Sequence, residues 1–253
     1  MRTAAYLFTL ILLASPAMAT ESIVTGLSQN KVQITTDFDG SDILVYGAVK
    51  RDAPAPAGAM DVIITLEGPS SPLVVRRKQK VMGIWLNGAS VQIANAPSFY
   101  AVTATGPVDD ILSQTDDLRF GITLDRRINT KEISINTMDF PEYTEALHRI
   151  RVQSNQYQMA TVSVQLVDQT LFRTDFALPA NVTEGNYKVR LFILRGGQVV
   201  DSQERFINVR KTGLERDLTN LAHQQPLIYG LLSLVMAAVA GWAASAGFRF
   251  LRR

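Results

Sequence analysis

Gly185-Asn-Tyr-Lys-Val-Arg-Leu-Phe-Ile193 decides the fold class. Tyr187, Val189, Leu191 and Ile193 fall on one side of an extended chain, with Lys188 and Arg190 between them. A period of two marks a strand with one buried face. Gly196-Gly197 turns the chain into a return strand. Upstream, Val162, Val164 and Leu166 alternate with Thr161, Ser163 and Gln165. Pro179 and the Gly185-Asn186-Tyr187 corner place a tyrosine where it can bond back to backbone, a recurrent feature of immunoglobulin-like sandwiches. Residues 159–212 are therefore expected to form an Ig-like antiparallel β part.

Residues 20–105 read the same way. Lys31–Thr36, Ile43–Val49, Asp61–Leu66, Leu73–Val75, Ile84–Leu86, Val91–Ile93 and Phe99–Thr103 are strand segments. Asp39-Gly40, Ala53–Gly58 and Gly68-Pro69 separate them, and Asn87-Gly88 predicts a tight hairpin turn. The fold class is mainly β: one or two antiparallel, Ig-like sandwich units.

The stretch 106–158 changes period and is expected to be a short helical insertion. Asp139-Phe-Pro-Glu142 resembles a helix start, with Asp as cap and Pro in the first turn. Tyr143, Leu147 and Ile150 then share one face. A weaker helical signal covers Val108–Phe120.

Two apolar segments carry the topology. In residues 1–19, Arg2 precedes the short run Tyr6–Ala14, and Ala17-Met18-Ala19 is an A-x-A cleavage site, so the segment reads as a secretory signal. Leu227–Phe248 holds 22 uncharged residues, which make about 33 Å of helix against a hydrocarbon core of about 30 Å. Residues 227–248 are thus expected to be a transmembrane helix. Arg249, Arg252 and Arg253 follow, and the positive-inside rule places residues 249–253 in the cytoplasm. Residues 213–226 read as a juxtamembrane helix, with Leu214, Leu218, Leu221 and Ala222 on one face. The expectation is a single-pass protein of a bacterial inner membrane, its ectodomain periplasmic and its C-terminus cytoplasmic.

Composition narrows the chemistry. The 253 residues include no Cys, which removes disulfides, thiol catalysis and Cys-ligated metals. His148 and His223 stand far apart, unlike close-spaced zinc ligands. With Arg2 and the three terminal arginines set aside, 21 basic residues face 23 acidic ones, so the ectodomain carries about −2. No nucleic-acid partner is expected.

Candidate catalytic motifs are thin. Asp37-Phe-Asp-Gly-Ser-Asp42 lacks the register of a calcium loop. Ser28-Gln-Asn-Lys31 has Ser-x-x-Lys spacing, but Lys31 opens a strand, which spoils the helical geometry that pair needs. Asn181-Val-Thr183 is a sequon that marks a loop. No acid, base and nucleophile set is legible, so the chain is expected not to be an enzyme, with no catalytic, cofactor-binding or metal residue to name.

Three contact features remain. Ala237, Gly241 and Ser245 place small residues on one face of the span, where helices can approach closely. Arg76, Arg77, Lys78 and Lys80 form the densest basic cluster, a charged strand edge or a contact for anionic headgroups or an acidic partner. Tyr46, Trp85, Phe99 and Tyr100 are aromatic residues available to stack on a ligand or to fill a core.

Gly83-Ile-Trp-Leu-Asn87, Ala96-Pro-Ser-Phe-Tyr-Ala-Val102 and Lys211–Arg216, running on through Ala222-His223, Tyr229–Leu232 and Ala240-Gly-Trp242, resemble the putative transmembrane protein family of alphaproteobacteria. The resemblance covers nearly the whole chain. It implies an exported, single-span protein of undefined activity, carries over no catalytic residue, and implies company with sulfite-exporter-like permeases. The expected function is a membrane-anchored periplasmic interaction module, accessory to an inner-membrane complex such as a transporter. Its partners would be an inner-membrane protein, a second copy through the span, and the bilayer. The alternatives are an exported domain binding a small molecule or glycan, and, third, an enzyme of unrecognised type.

Overall fold

Met60-Asp-Val-Ile-Ile-Thr-Leu-Glu67 lacks strand alternation because both of its faces are covered. In the computed structural model, which describes residues 21–56, 58–128, 140–212 and 221–251, this strand (β4) lies inside a six-stranded sheet. Val62, Ile64 and Leu66 face one core, and Ile63 faces another.

The preceding strands are β1 (Glu21–Leu27), β2 (Lys31–Ile34) and β3 (Gly40–Arg51). After β4 come β5 (Ser70–Val81), β6 (Ile84–Pro97) and β7 (Tyr100–Ala104). Four helices follow: α1 (Val108–Ile111), α2 (Gln114–Phe120), α3 (Leu124–Arg127) and α4 (Phe140–Gln153). Then come β8 (Tyr157–Val162), β9 (Gln165–Val167), β10 (Leu171–Pro179), β11 (Gly185–Arg195), β12 (Gln198–Lys211) and a long helix, α5 (Pro226–Leu251).

One sheet has the order β1-β3-β10-β9 and is antiparallel throughout. The other has the order β2-β12-β11-β4-β7-β8, with its end strands β2 and β8 parallel to their neighbours. The two strand-rich parts of the sequence therefore build a single sandwich, because β3 pairs with β10 and β4 with β11. Ile43, Val45, Phe172 and Phe176 meet Val189, Leu191, Ile193 and Ile207 in the core between the sheets. Each such side chain contributes about 1.5–3 kcal/mol on burial. Tyr187 belongs to that core, and its hydroxyl donates to the Thr183 carbonyl at 2.9 Å, the back-bond expected of the corner tyrosine.

A second core covers the outer face of the six-stranded sheet. Ile63, Tyr100, Phe192 and Leu194 lie there under Ile122, Ile128 and Leu147 from the helical insertion. The weak helical signal over 108–120 resolves into two short helices. Ser113 interrupts it and caps α2, accepting from the Asp116 amide at 3.2 Å. Asp139, read as the cap of α4, lies outside the described residues. Tyr143 and Leu147 are buried as expected, but Ile150 is exposed, so the apolar stripe of α4 is narrower than its spacing predicts.

The first residues are tied in by charge. The Glu21 carboxylate accepts from Arg51 Nε at 2.7 Å and from Arg195 Nε and Nη2 at 2.7 and 2.8 Å.

The β4–β7 ladder continues through a corner into β5–β6. Gly68 N–H donates to the Phe99 carbonyl and Ser98 N–H to the Pro69 carbonyl. A Cβ on Gly68 would lie 2.6 Å from Ser98 Oγ, so the corner closes only with glycine there. Beyond it, β5 and β6 form a separate two-stranded hairpin.

Candidate interaction surface

The base of the hairpin is packed and its end is not. Leu73 pairs with Ile93 and Val75 with Val91, and Val91, Ile93 and Ala96 are buried. From Arg76 to Ser90 every residue is exposed except Gly88, which is half-buried. The turn is Met82-Gly83, with φ of 49° and 86°, the two positive values that a primed two-residue turn requires.

This corrects the turn expected at Asn87-Gly88. That pair lies within β6, at a register shift where Lys78 faces Asn87 and Arg76 faces Ser90. It marks a bulge, the other structure a strand glycine serves. Burial decided the outcome. A turn at 87–88 would pair Ile93 with Met82 and strip Leu73 of its partner. Each lost burial costs about 1.5–3 kcal/mol, more than a turn preference is worth.

Around the turn stand Val81, Met82, Ile84, Trp85 and Leu86, all exposed, with Met82 at 98% and Trp85 at 64%. Cross-strand pairing assigns their faces. Val81–Ile84 and Gln79–Leu86 share one side, and Lys80–Trp85 and Lys78–Asn87 share the other.

The predicted basic cluster lies on β5, directly below this apolar end. Arg77 ion-pairs with Glu142 of α4, and its guanidinium lies 5.4 Å from the Tyr143 ring centroid. It braces the hairpin against α4. Among the described residues no carboxylate pairs with Arg76, Lys78 or Lys80. A cleft of about 330 Å³ opens between β5 and α4, lined by Arg76 and Arg77 from the strand and by Glu142, Glu145 and Arg149 from the helix.

A polar cluster lies under the helices on the outer face of the six-stranded sheet. Arg190 is 5% exposed. It donates to the Phe120 and Gly121 carbonyls at 2.7 and 2.8 Å and to the Tyr100 hydroxyl at 3.3 Å. Tyr100 in turn donates to the Ile122 carbonyl at 2.6 Å. Burial pushes the Tyr100 phenol up to about 12. Arg127 bonds Glu67 at 2.8 Å, and Lys188 lies 3.5 Å from Glu204. A second cleft of about 240 Å³ borders Arg127, Lys188, Arg190 and Glu204. Its cations all have partners, so the cluster fastens α2 and α3 to the sheet.

Of the four aromatic candidates, Phe99 and Tyr100 are each 1% exposed. Phe99 stands 6.1 Å from the Tyr187 ring inside the sandwich. Tyr46 packs over Gly26 on the four-stranded sheet, and Trp85 stands on the hairpin. The four do not converge on a pocket: Phe99 and Tyr100, though adjacent, belong to the two different cores. Spacing offered no sign of the Met82 end. The available signal was a run of apolar residues with no inward alternation to explain it.

In α5, Pro226–Ser245 has a mean hydropathy of 2.0 and is exposed along its whole length. Ala237, Gly241 and Ser245 are exposed with it, and beyond the adjacent helix backbone nothing lies within 4 Å of where a Gly241 side chain would begin.

The profile of a family described as "Putative transmembrane protein" matches residues 22–250. No protein of curated function matches the chain. Among solved structures it is similar to Spo0M, a sporulation control protein from Bacillus subtilis, at 11% identity and a TM-score of 0.29. That alignment covers 81% of this chain and spans about half, 55%, of Spo0M.

Proposed function

We propose that this chain, which belongs to the Putative transmembrane protein family, is a membrane-anchored interaction module. In this reading the sandwich stands on the outer side of a bacterial inner membrane. The arginines after the span stay in the cytoplasm, as the positive-inside rule requires. The module serves as accessory to a membrane complex and runs no reaction of its own.

One observation carries the reading: the apolar end of the β5–β6 hairpin. Isolated exposed apolar residues are ordinary on protein surfaces, but a contiguous apolar patch with a polar rim marks a contact site. Here five exposed apolar side chains cluster at one end of a hairpin, above a basic stem. The backbone also bears a cost for it, since a non-glycine residue in the left-handed region costs about 1–2 kcal/mol. The small-residue face of the span supplies a second contact, for a partner helix.

The reading is tested with a photo-crosslinking side chain at position 82 of the full chain in native membranes. A control at Val24, exposed on β1, sets the background. Adducts at 82 well above those at 24 support a contact hairpin, and equal yields remove it. Protease added to spheroplasts is expected to digest the sandwich and spare a small C-terminal fragment. Protection of the sandwich would reverse the orientation.

A further inference from the structure

We infer that the surface met by the hairpin is a lipid leaflet carrying anionic headgroups. Met82, Ile84, Trp85 and Leu86 enter the boundary between headgroups and acyl chains. Lys78, Lys80 and Arg76 lie against the phosphates. The inference rests on the reading of the hairpin as a contact element and names what it contacts.

The first argument is the distribution of apolar residues around the turn. Val81, Ile84 and Leu86 occupy one side of the hairpin, Trp85 the other, and Met82 the apex. A rigid protein groove covers one side of a two-stranded ribbon and leaves the other in water. A fluid leaflet surrounds both. An apex with apolar side chains on both sides matches the second medium.

The second argument is depth. At about 3.3 Å per strand residue, Trp85 stands roughly 7 Å below the apex and Leu86 roughly 10 Å. Interfacial segments bury their apolar face about 5–10 Å into the headgroup boundary. The apolar residues therefore end where that depth ends. Lys80, opposite Trp85, can extend its stem toward the phosphates, and Lys78 and Arg76 follow along the stem. Tryptophan next to lysine is the pairing that interfaces favour, because the indole has an apolar body and a polar N–H.

The third argument is charge. Arg76, Lys78 and Lys80 lack a carboxylate partner among the described residues, although the ectodomain sequence is slightly acidic. Cations concentrated beside an apolar tip are drawn to an anionic leaflet.

Reach permits the contact. The span holds the sandwich beside a bilayer. With residues 221–224 helical, the segment between Lys211 and Pro226 can extend at most about 45 Å. The hairpin strands are about 40 Å long.

The test uses the two tryptophans of the full chain, Trp85 and Trp242. Trp242→Phe leaves Trp85 as the single emitter. The variant is reconstituted in vesicles of phosphatidylethanolamine and phosphatidylglycerol, with and without brominated acyl chains. Trp85 emission is expected to be blue-shifted and quenched about twofold by the brominated lipid, a range reached only by an inserted ring. Quenching should fall in phosphatidylcholine vesicles and in the Lys78→Glu/Lys80→Glu variant, whose changes lie on exposed positions and leave the fold intact by circular dichroism. Emission untouched by brominated lipid and open to aqueous acrylamide overturns the lipid assignment. If position 82 then crosslinks to a protein or a second copy, the contact reading stands without the lipid. If it crosslinks to nothing, both fall.

Discussion

Arg195 meets Glu21 across 174 positions of sequence through two bonds, Nε to Oε2 at 2.7 Å and Nη2 to Oε1 at 2.8 Å. The Glu21 side chain is 1% exposed, and Arg51 bonds it from the other side. Hydrogen bonding from Arg195, reinforced by Arg51, outweighs burial and lowers the Glu21 carboxyl from 4.5 to about 2. A carboxylate depressed in the folded state stabilises it above its unfolded value. The stabilisation, about 3 kcal/mol here, is complete above pH about 4.5 and is lost as pH falls toward 2. Glu21→Gln is expected to cost about 3–5 kcal/mol at neutral pH, because two arginines lose their counter-charge. It should also flatten the acid limb between pH 4.5 and 2. Urea unfolding of the detergent-solubilised full chain over that range measures both. Parallel acid limbs for variant and wild type would assign the acid sensitivity elsewhere.

Arg190 holds two carbonyls at the end of α2, and its loss should loosen that end alone. Arg190→Met is expected to destabilise by about 2–3 kcal/mol, since buried carbonyls lose their donors. Tyr100→Phe removes the bond to the Ile122 carbonyl and the long one from Arg190, and should cost about 1–2 kcal/mol. Hydrogen exchange separates local from global effects. The amides of Gly121 and Ile122 should exchange faster, and that of Leu191 should keep its protection. Uniform acceleration would mean that the cluster supports the whole sandwich.

Met82 occupies a turn position that favours asparagine or glycine. Met82→Asn should therefore raise stability by about 0.5–1 kcal/mol by relieving left-handed strain. Crosslinking and lipid quenching at the hairpin should fall in the same variant. A gain in stability with a loss of contact identifies a residue kept for function. A loss of stability would show that Met82 packs on something within its own chain.

In the span, Gly241→Ile should weaken helix association by about 1–2 kcal/mol while leaving insertion intact. Leu234→Ile should change little if Leu234 faces lipid. An in-membrane association assay giving equal signals for wild type and Gly241→Ile would leave the span as a plain anchor.

The strands at the centre of the sheets were the easiest to read. Tyr187–Ile193 alternates because one side faces the sandwich core. Asp61–Leu66 reads as strand although it does not alternate, since both of its faces are covered. Pairing was not legible. Nothing local in Lys31–Ile34 indicates that its partner is β12, nor in Ile43–Val49 that β10 lies beside it. The strands at 21–27 and 171–179 lie outside the segments whose pattern marks a strand. The first contains Gly26, close-packed under Tyr46, which interrupts its pattern. The second alternates clearly, Phe172, Thr174, Phe176 and Leu178 all being buried, but Thr174 breaks its apolar row. The contact end was hidden by a competing signal: Asn-Gly is the stronger turn pair in isolation, and only the burial of Ile93 opposite Leu73 moves the turn to Met82.

The order in which the chain is made sets a further condition. Among the described residues β2 pairs only with β12, and Glu21, already facing Arg51, waits for Arg195. At about 5–20 residues per second, roughly ten to forty seconds separate the synthesis of the first strands from that of their last partners. Throughout that interval β2 is an open edge, the kind that recruits strands from other chains. Any chain cut short before residue 195 keeps that edge, and its Glu21 carboxylate has only Arg51 of its two arginines. The cell must therefore either shield the nascent sandwich until its final strands arrive or remove the fragments.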